Sequence, residues 1–146
     1  MIVQSYAIAR FLGNQLGFEA PTPLARAYVD MFAEGIRDIN ECLAHAVYFS
    51  ADKESVTAKY LAEKFPVHLS GVEKALELCH AQIEDRPAVF TSSSLTWADV
   101  LAFVSLGWAT SLGATTQAAP KVSALLEAVA AVPRIAAYLS APHPWF

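Results

Sequence analysis

Apolar residues recur at helical spacing along nearly the whole chain, with proline and glycine between the runs. The first run predicts a helix that begins with Ser5 as its N-cap and ends before Gly17, a residue suited to a left-handed C-terminal cap. One face of this helix is apolar and holds Ile8, Phe11, Leu12 and Leu16. Outside residues 1–3 no stretch alternates convincingly between apolar and polar positions, so the pattern predicts an all-α fold.

Two long helices follow in the pattern. Thr22 and Pro23 read as a cap residue with proline in the first turn, and they predict a helix that runs to about residue 48. The next apolar stripe predicts one helix from about Asp52 to Glu84. Because Pro66 lacks an N–H group for an interior hydrogen bond, we expect a kink near residues 62–66.

Thr96 and Asp99 predict the start of a buried helix. They have the spacing of a capping box, in which each side chain accepts a hydrogen bond from the backbone N–H of the other residue. The residues that follow are apolar on nearly every side up to about Leu112, which is typical of a fully packed central helix. We assign the box to folding and stability. Shorter helices begun by Pro120 and Pro133 complete a predicted bundle of antiparallel neighbours.

Composition and charge narrow the classes of function. The 146 residues are 55% apolar and 16% charged, which indicates a globular protein with room for one core. A net charge of −4 without a basic cluster argues against a nucleic-acid partner, and we find no uncharged apolar run long enough to span a membrane. The N-terminus has no secretory-signal pattern, so we expect a cytoplasmic protein. A mean hydropathy of +0.35 indicates apolar surface that faces another domain or subunit.

The sequence offers no metal site. Cys42 and Cys79 each fall inside a helical pattern and have no second cysteine at ligand spacing, so we expect reduced thiols in the core. The histidines also lack ligand spacing; they are His45, His68, His80 and His143.

Five segments occur along the chain in a particular order: Gln4–Leu12, Thr22–Pro23, Val29–Asp30, Leu95–Asp99 and Val132–Leu139. Together they resemble the cytosolic glutathione S-transferases, most closely the sigma-class and nematode-type enzymes. Members of that family have a thioredoxin-like first domain and an all-helical second domain. The resemblance implies that residues 1–18 are a remnant of the first domain, its last helix, and that residues 22–146 are the complete helical domain. Ala88–Ser94 depart from the family, which has a glycine-bearing approach to the capping box.

The resemblance also implies three residues that bind glutathione, the family's co-substrate. Gln4 and Ser5 match the residues that bind its γ-glutamyl end, and a free helix N-terminus is a suitable place for a carboxylate. Asp38 matches an acid that reaches across a homodimer toward the α-amino group of glutathione held by the other subunit. The alternatives are that Ser5 is only an N-cap and that Asp38 is an exposed acid paired with Arg37 or a nearby lysine.

No catalytic residue is assigned. In the family a tyrosine near the N-terminus hydrogen-bonds the glutathione sulfur and favours the thiolate, which matters because a free thiol has a pKa of about 8.5. None of the five tyrosines matches it, and Tyr6 is expected on the flank of the first helix. The resemblance places a pocket for a hydrophobic electrophile near Asn40 and His45, with a solvated His45 as the alternative.

These observations lead to two hypotheses. In the first, the complete protein transfers glutathione to electrophiles in detoxification and glutathione metabolism, and this chain is N-terminally truncated and inactive alone. In the second, it is a non-catalytic binding or structural module of the same fold. Loss of a first domain would uncover an interdomain face of about 600–1,500 Å², which predicts a weakly stable chain that associates.

Overall fold

The computed structural model describes residues 2–82 and 95–141, and over these ranges the regular secondary structure is entirely helical. The prediction of an all-α fold is therefore confirmed. The helices are α1 (Ser5–Leu16), α2 (Pro23–Ala44), α3 (Lys53–Glu63), α4 (Phe65–Gln82), α5 (Trp97–Ser111), α6 (Pro120–Ala130) and α7 (Pro133–Ser140), and a π-helical turn (His45–Phe49) extends α2. The expected departure at Ala88–Ser94, the predicted helix end at Glu84 and His143 lie outside the described residues.

The N-cap of helix α1 lies one residue earlier in the chain than predicted. The N-cap is Gln4, whose carbonyl accepts a 2.9 Å hydrogen bond from the N–H of Ile8, so Ser5 is already the first helical residue. The prediction of Ser5 as N-cap is therefore wrong. At the other end Gly17 adopts a φ of 80° and its N–H bonds to the carbonyl of Gly13, which confirms the left-handed cap.

One side of α1 packs against α5 and the other is open. A Cβ added at Gly13 would lie 2.9 Å from the side chain of Trp97, so glycine allows the two helices to approach closely. Phe11 and Leu12 are each 47% exposed and Leu16 is 67% exposed. The apolar face predicted for α1 is thus uncovered by the described residues, in agreement with the expectation of apolar surface.

Helix α2 is the central helix of the bundle and packs against both α4 and α5. The Thr22 hydroxyl caps it by accepting a 3.2 Å hydrogen bond from the N–H of Ala25, and Pro23 is its first residue, as predicted. Its apolar stripe is fully buried and consists of Phe32, Ile36, Ile39 and Leu43. Burial of each such side chain contributes about 1.5–3 kcal/mol, so this stripe anchors the elements around it.

The single kinked helix predicted after residue 52 is wrong, because the structure has two helices that meet at Lys64. Pro66 has no N–H to continue the hydrogen-bond ladder of α3. The N–H groups of Val67 and His68 both donate to the carbonyl of Lys64 at 3.0 Å and so form the first turn of α4. The proline therefore starts a new helix instead of bending the old one.

Helix α5 is buried on one side only. Ala102, Leu106 and Ala109 are fully buried, but Val104 is 64% exposed and Val100 is also exposed. The prediction of a fully packed helix is therefore wrong for this face. A helix that is apolar on every side is therefore not always buried on every side.

Candidate functional site

The start of α1 carries an unusual backbone. Gln4 has a φ of 77° and a ψ of 120°, and it is the one non-glycine residue with positive φ among residues 2–82 and 95–141. Such a conformation costs on the order of 1–3 kcal/mol and is concentrated at functional sites. The first hydrogen bond of the helix is donated by Ile8, so the N–H groups of Ser5, Tyr6 and Ala7 have no partner inside the helix.

A cleft of about 410 Å³ opens beside this helix start. We call it the Ser5 cleft; it is lined by Ser5, Tyr6, Asn40, Glu41, Ala44, Tyr48 and Trp108. Its residues come from α1, the C-terminal part of α2, the π-helical turn and α5. The structure therefore brings together in one cleft Ser5, from the implied glutathione site, and Asn40, from the implied electrophile pocket.

One wall of the Ser5 cleft is aromatic. The rings of Tyr48 and Trp108 stack with centroids 6.0 Å apart and planes inclined by 19°. Tyr48 lies on the π-helical turn, which changes the helical register at the end of α2. Aromatic faces of this kind provide a surface for a flat apolar molecule.

A hydrogen-bonded network joins three helices, α1, α2 and α5. The side-chain N–H groups of Asn40 donate to the Tyr6 hydroxyl at 2.8 Å and to the Ser105 hydroxyl at 2.7 Å. Burial raises the pKa of the Tyr6 phenol, although the hydrogen bond from Asn40 acts to lower it. Tyr6 is therefore a neutral phenol at physiological pH, and it lies in the cleft as well as on the helix flank.

Arg10 joins α1 to α2 through exposed ion pairs, and Arg37 forms further pairs within α2. The Arg10 guanidinium donates to Asp30 at 2.8 Å and lies 5.1 Å from the centroid of the Trp97 ring. Arg37 pairs with Glu34 at 2.8 Å and with Glu41 at 3.4 Å. Because these groups face solvent, each pair contributes about 0–1 kcal/mol.

Asp38 lies outside the Ser5 cleft. It is exposed on α2, and its charge is among the influences that raise the pKa of Tyr60, after burial and Cys42. Arg37 pairs with Glu34 and Glu41, and the alternative pairing of Asp38 with Arg37 is not formed. The structure thus separates Asp38 from Ser5 within one chain.

His45 and Cys42 line a second cleft of about 490 Å³ between α2 and α3, which we call the Cys42 cleft. His45 is exposed, as its solvated alternative requires, and it does not share a cleft with Asn40. Both cysteines are free thiols, as predicted, but only Cys79 is fully buried; Cys42 is half-buried at the cleft.

Thr96 and Asp99 form the capping box at the start of α5. The backbone N–H of Thr96 donates to an oxygen of the Asp99 carboxylate at 2.6 Å, and the Thr96 hydroxyl donates to the same oxygen at 2.9 Å. Both residues are fully buried. Caps of this kind contribute about 0.5–2 kcal/mol to the free energy of unfolding, so we assign this pair to stability.

Neither a metal cluster nor a membrane-spanning helix is found in the part of the chain that the structure describes. No group of three or more His, Cys, Asp or Glu residues there is placed to hold a metal ion. No single helix there is long and apolar enough to cross a membrane; α6 and α7 meet the length and composition criteria only as a pair bent by 77°.

Six residues of the cleft and its hydrogen-bonded network were not predicted as site residues from the sequence: Tyr6, Glu41, Ala44, Tyr48, Ser105 and Trp108. Tyr6 follows Ser5 directly and could have been found as a second polar residue at the helix start. Tyr48 and Trp108 carried no such signal, because their meeting depends on the π-helical turn. Ser105 lies 65 residues from Asn40, so only the fold connects them.

Comparison with known proteins identifies similar chains. Residues 37–142, more than half of the chain, match the family model described as glutathione S-transferase, C-terminal domain. Glutathione S-transferase 1 of Ascaris suum is 30% identical over 111 residues, which cover 73% of this chain and 51% of that protein. Glutathione S-transferase 2 of Onchocerca volvulus is 32% identical over 75 residues, which cover 51% of this chain and 35% of that protein.

A solved structure shows the same fold. The Pi-class glutathione S-transferase of Onchocerca volvulus superimposes with a TM-score of 0.78 at 23% identity, and the match covers 94% of this chain and 64% of that one. The chain thus spans about half or less of the length of the curated relatives it matches.

Proposed function

The chain belongs to the glutathione S-transferase family, and on this premise we propose that the start of α1 binds the γ-glutamyl end of glutathione through Gln4 and Ser5. The observation that carries the proposal is the left-handed backbone of Gln4 ahead of a helix whose first N–H groups have no helical partner. Those groups and the positive end of the helix dipole suit a carboxylate. The Ser5 cleft lies beside this helix start.

The proposed domain organisation follows the same premise. We assign residues 1–18 to the last helix of a thioredoxin-like domain and residues 22–146 to the helical domain. The open apolar face of α1 supports this assignment, because an interdomain contact would cover it.

In the complete form, the protein transfers glutathione to hydrophobic electrophiles and takes part in detoxification and glutathione metabolism. The 146 residues alone are proposed to be inactive, because none of their five tyrosines matches the residue that activates the thiol in this family. A conjugation assay on the purified chain tests this: turnover well above the uncatalysed background contradicts the proposal.

We also propose a sigma-class, cytoplasmic homodimer. In this assembly Asp38 reaches the α-amino group of glutathione held by the other subunit. The exposure of Asp38 and its separation from the Ser5 cleft support a role toward another copy. Asp38→Asn should weaken glutathione binding at protein concentrations where sedimentation shows a dimer, and should leave the binding by monomers unchanged.

Calorimetric titration of the chain with γ-glutamylcysteine and with cysteinylglycine tests the binding proposal directly. These two halves of glutathione share the cysteine, but only the first has the γ-glutamyl group. We expect saturable binding of γ-glutamylcysteine and none of cysteinylglycine. A folded chain that binds neither dipeptide nor glutathione would favour the alternative, a non-catalytic binding or structural module.

A further inference from the structure

Helix α1 is held to the rest of the described chain along one narrow edge. Gly13 is its one buried residue, and among the described helices α5 is the one whose backbone lies close to that of α1. The opposite face of α1, which holds Phe11, Leu12 and Leu16, is exposed. The docking of α1 therefore depends on a small number of contacts.

Trp97 of α5 takes part in several of these contacts. A Cβ added at Gly13 would lie 2.9 Å from the Cβ and Cδ1 atoms of Trp97, so the backbone of α1 already touches this side chain. The Arg10 guanidinium lies 5.1 Å from the centroid of the same ring. The backbone N–H of Trp97 donates to the carbonyl of Phe18, just after α1, at 3.0 Å. Away from Trp97, a hydrogen bond of Tyr6 and the exposed ion pairs of Arg10 join α1 to α2.

A helix as short as α1 does not persist when it leaves this contact. It has 12 residues and no side-chain cap at its N-terminus. Isolated helices shorter than about 12–15 residues are marginal in water, because nucleation is costly. Undocking therefore melts α1 and disperses the N–H groups of Ser5, Tyr6 and Ala7. The ligand site proposed at the start of α1 exists only while the helix is docked.

We propose that Trp97 is a positioning residue for the glutathione site, because it holds α1 in its docked, helical state. Trp97 acts through α1 and is not among the residues that line the Ser5 cleft. The inference deepens the function proposed above and rests on it, since the ligand at the start of α1 is the γ-glutamyl carboxylate. Opening of α1 and binding of this ligand exclude each other, so a change in one changes the other.

Native-state hydrogen exchange measures the opening of α1 without any ligand. If α1 opens by itself, its amides exchange faster than those of α2 and α4, which open only when the whole domain unfolds. Glu73→Gln removes the charge that caps α6 and lies away from α1. We expect it to speed exchange in α2 and α4 by about fivefold and to leave the exchange of α1 unchanged.

Gly13→Ala tests the contact with Trp97. The added methyl would meet atoms next to the backbone of Trp97, which cannot swing away, so α1 must move off α5. Because alanine favours a helix more than glycine does, faster exchange would not come from helix propensity. We expect the α1 amides to exchange about tenfold faster or more, as overpacking of a tight contact predicts. Gly71→Ala on α4, where the new methyl meets open space, should leave the exchange of α1 unchanged.

Two substitutions of Trp97 test the same contact from the other side. Trp97→Leu removes the ring that lies beside Gly13 and Arg10, and Trp97→Phe keeps a ring in that place. We expect Trp97→Leu to speed the exchange of α1 by about tenfold and to weaken the binding of γ-glutamylcysteine. Trp97→Phe should stay within about threefold of the wild type in both measurements. A melting curve verifies that each variant is folded.

Bound ligand should keep α1 closed. We expect γ-glutamylcysteine at about 100 times its dissociation constant to slow the exchange of the α1 amides by about 100-fold, because the opened helix does not bind it. The free chain already has α1 docked, so the ligand changes the rate of opening and not the surroundings of Trp97.

Three results would overturn the inference: α1 amides that exchange as slowly as those of α2 in the wild type, wild-type exchange of α1 in folded Gly13→Ala, or bound γ-glutamylcysteine that leaves the exchange of α1 unchanged. The first two measurements need no ligand. Failure of the dipeptide to bind would reject the glutathione site, and unchanged exchange in Gly13→Ala would reject only the role of Trp97.

Discussion

Helices α1 and α5 pack against each other, but they differ at their N-termini. The backbone N–H groups at the start of α5 have hydrogen-bond partners in the protein, whereas α1 has no side-chain cap. At α5 the N–H of Thr96 bonds to the Asp99 carboxylate and the N–H of Trp97 donates to the carbonyl of Phe18 at 3.0 Å. At α1 the N-cap residue Gln4 provides no side-chain bond and has a strained backbone. The buried start is closed by the protein itself, and the exposed start is left open. We propose that this difference separates a stability element, at α5, from a binding site, at α1.

A third helix start lies between these two extremes. The carboxylate of Glu73 on α4 accepts hydrogen bonds of 2.9 Å from the backbone N–H groups of Lys121 and Val122, the second and third residues of α6. An acid from a neighbouring helix thus supplies the negative charge that a helix N-terminus attracts. It also shows that carboxylates bind such N–H groups in this fold.

Removal of the closed cap should have the largest effect on stability. Asp99→Ala deletes the acceptor of two hydrogen bonds from fully buried Thr96 and leaves its N–H and hydroxyl unsatisfied. We expect a loss of about 2–4 kcal/mol in the free energy of unfolding, measured by urea denaturation. The matched control is Glu127→Ala on the exposed side of α6, which should change stability by about 0.5 kcal/mol or less. An Asp99→Ala chain as stable as the control would show that the cap is not needed.

Loss of the interhelix cap should have the next largest effect. Glu73→Gln keeps the size of the side chain but removes the charge that faces two N–H groups of α6. We expect destabilisation by about 1 kcal/mol, because charge-assisted hydrogen bonds are the stronger ones. If Glu77→Gln, an exposed neighbour, has an equal effect, the cap has no special role.

A substitution at the start of α1 should increase the stability of the chain, in contrast to the two substitutions above. Gln4→Gly removes a side chain from a position with a φ of 77°, where glycine carries no steric cost. We expect the chain to gain about 1 kcal/mol of stability and to lose affinity for glutathione. Gly17→Ala, at a φ of 80°, should destabilise the chain by about 1 kcal/mol and leave the affinity unchanged. Denaturation and calorimetry on both variants check the pair of effects, and a Gln4→Gly chain with full affinity would exclude the side chain from binding.

The smallest effect concerns the exposed pair beside the α6 cap. The hydrogen bond and charge of Lys121 lower the pKa of Glu77 below its ordinary value. A carboxyl whose pKa is lower in the folded state contributes stability above its unfolded pKa, about 4.3, and loses it as the pH falls through the folded pKa. Glu77→Gln should therefore melt like the wild type after full protonation and slightly earlier at neutral pH. Identical melting curves at every pH would show that the pair contributes nothing.

Local signals accounted for the elements that the sequence predicted correctly. Gly17, the Thr22–Pro23 pair and the Thr96–Asp99 pair each act within one or two helical turns, and each was recognisable from spacing alone. Ser5 was predicted as the N-cap because serine favours that position, but it is the first helical residue. The residue type of Gln4 gives no indication of its left-handed backbone.

The remaining features depend on contacts between distant residues. Glu73 lies 48 residues from Lys121, and Asn40 lies 34 residues from Tyr6, so no local pattern relates them. The break at Lys64 was also missed, since an interior proline can either bend a helix or begin a new one. Of the residues that line the Ser5 cleft, Ser5 and Asn40 were named from the sequence, but as parts of two different sites, and the aromatic wall required the folded chain.

The most direct test of the open helix start is a glutathione titration of the ¹⁵N-labelled chain, followed at the backbone amides of both helix N-termini. The account predicts saturable shifts at Ser5, Tyr6 and Ala7 and none at Trp97 and Ala98, whose helix start is closed by its own cap. Shifts of equal size at both starts, or a folded chain with no shift at α1, would contradict it.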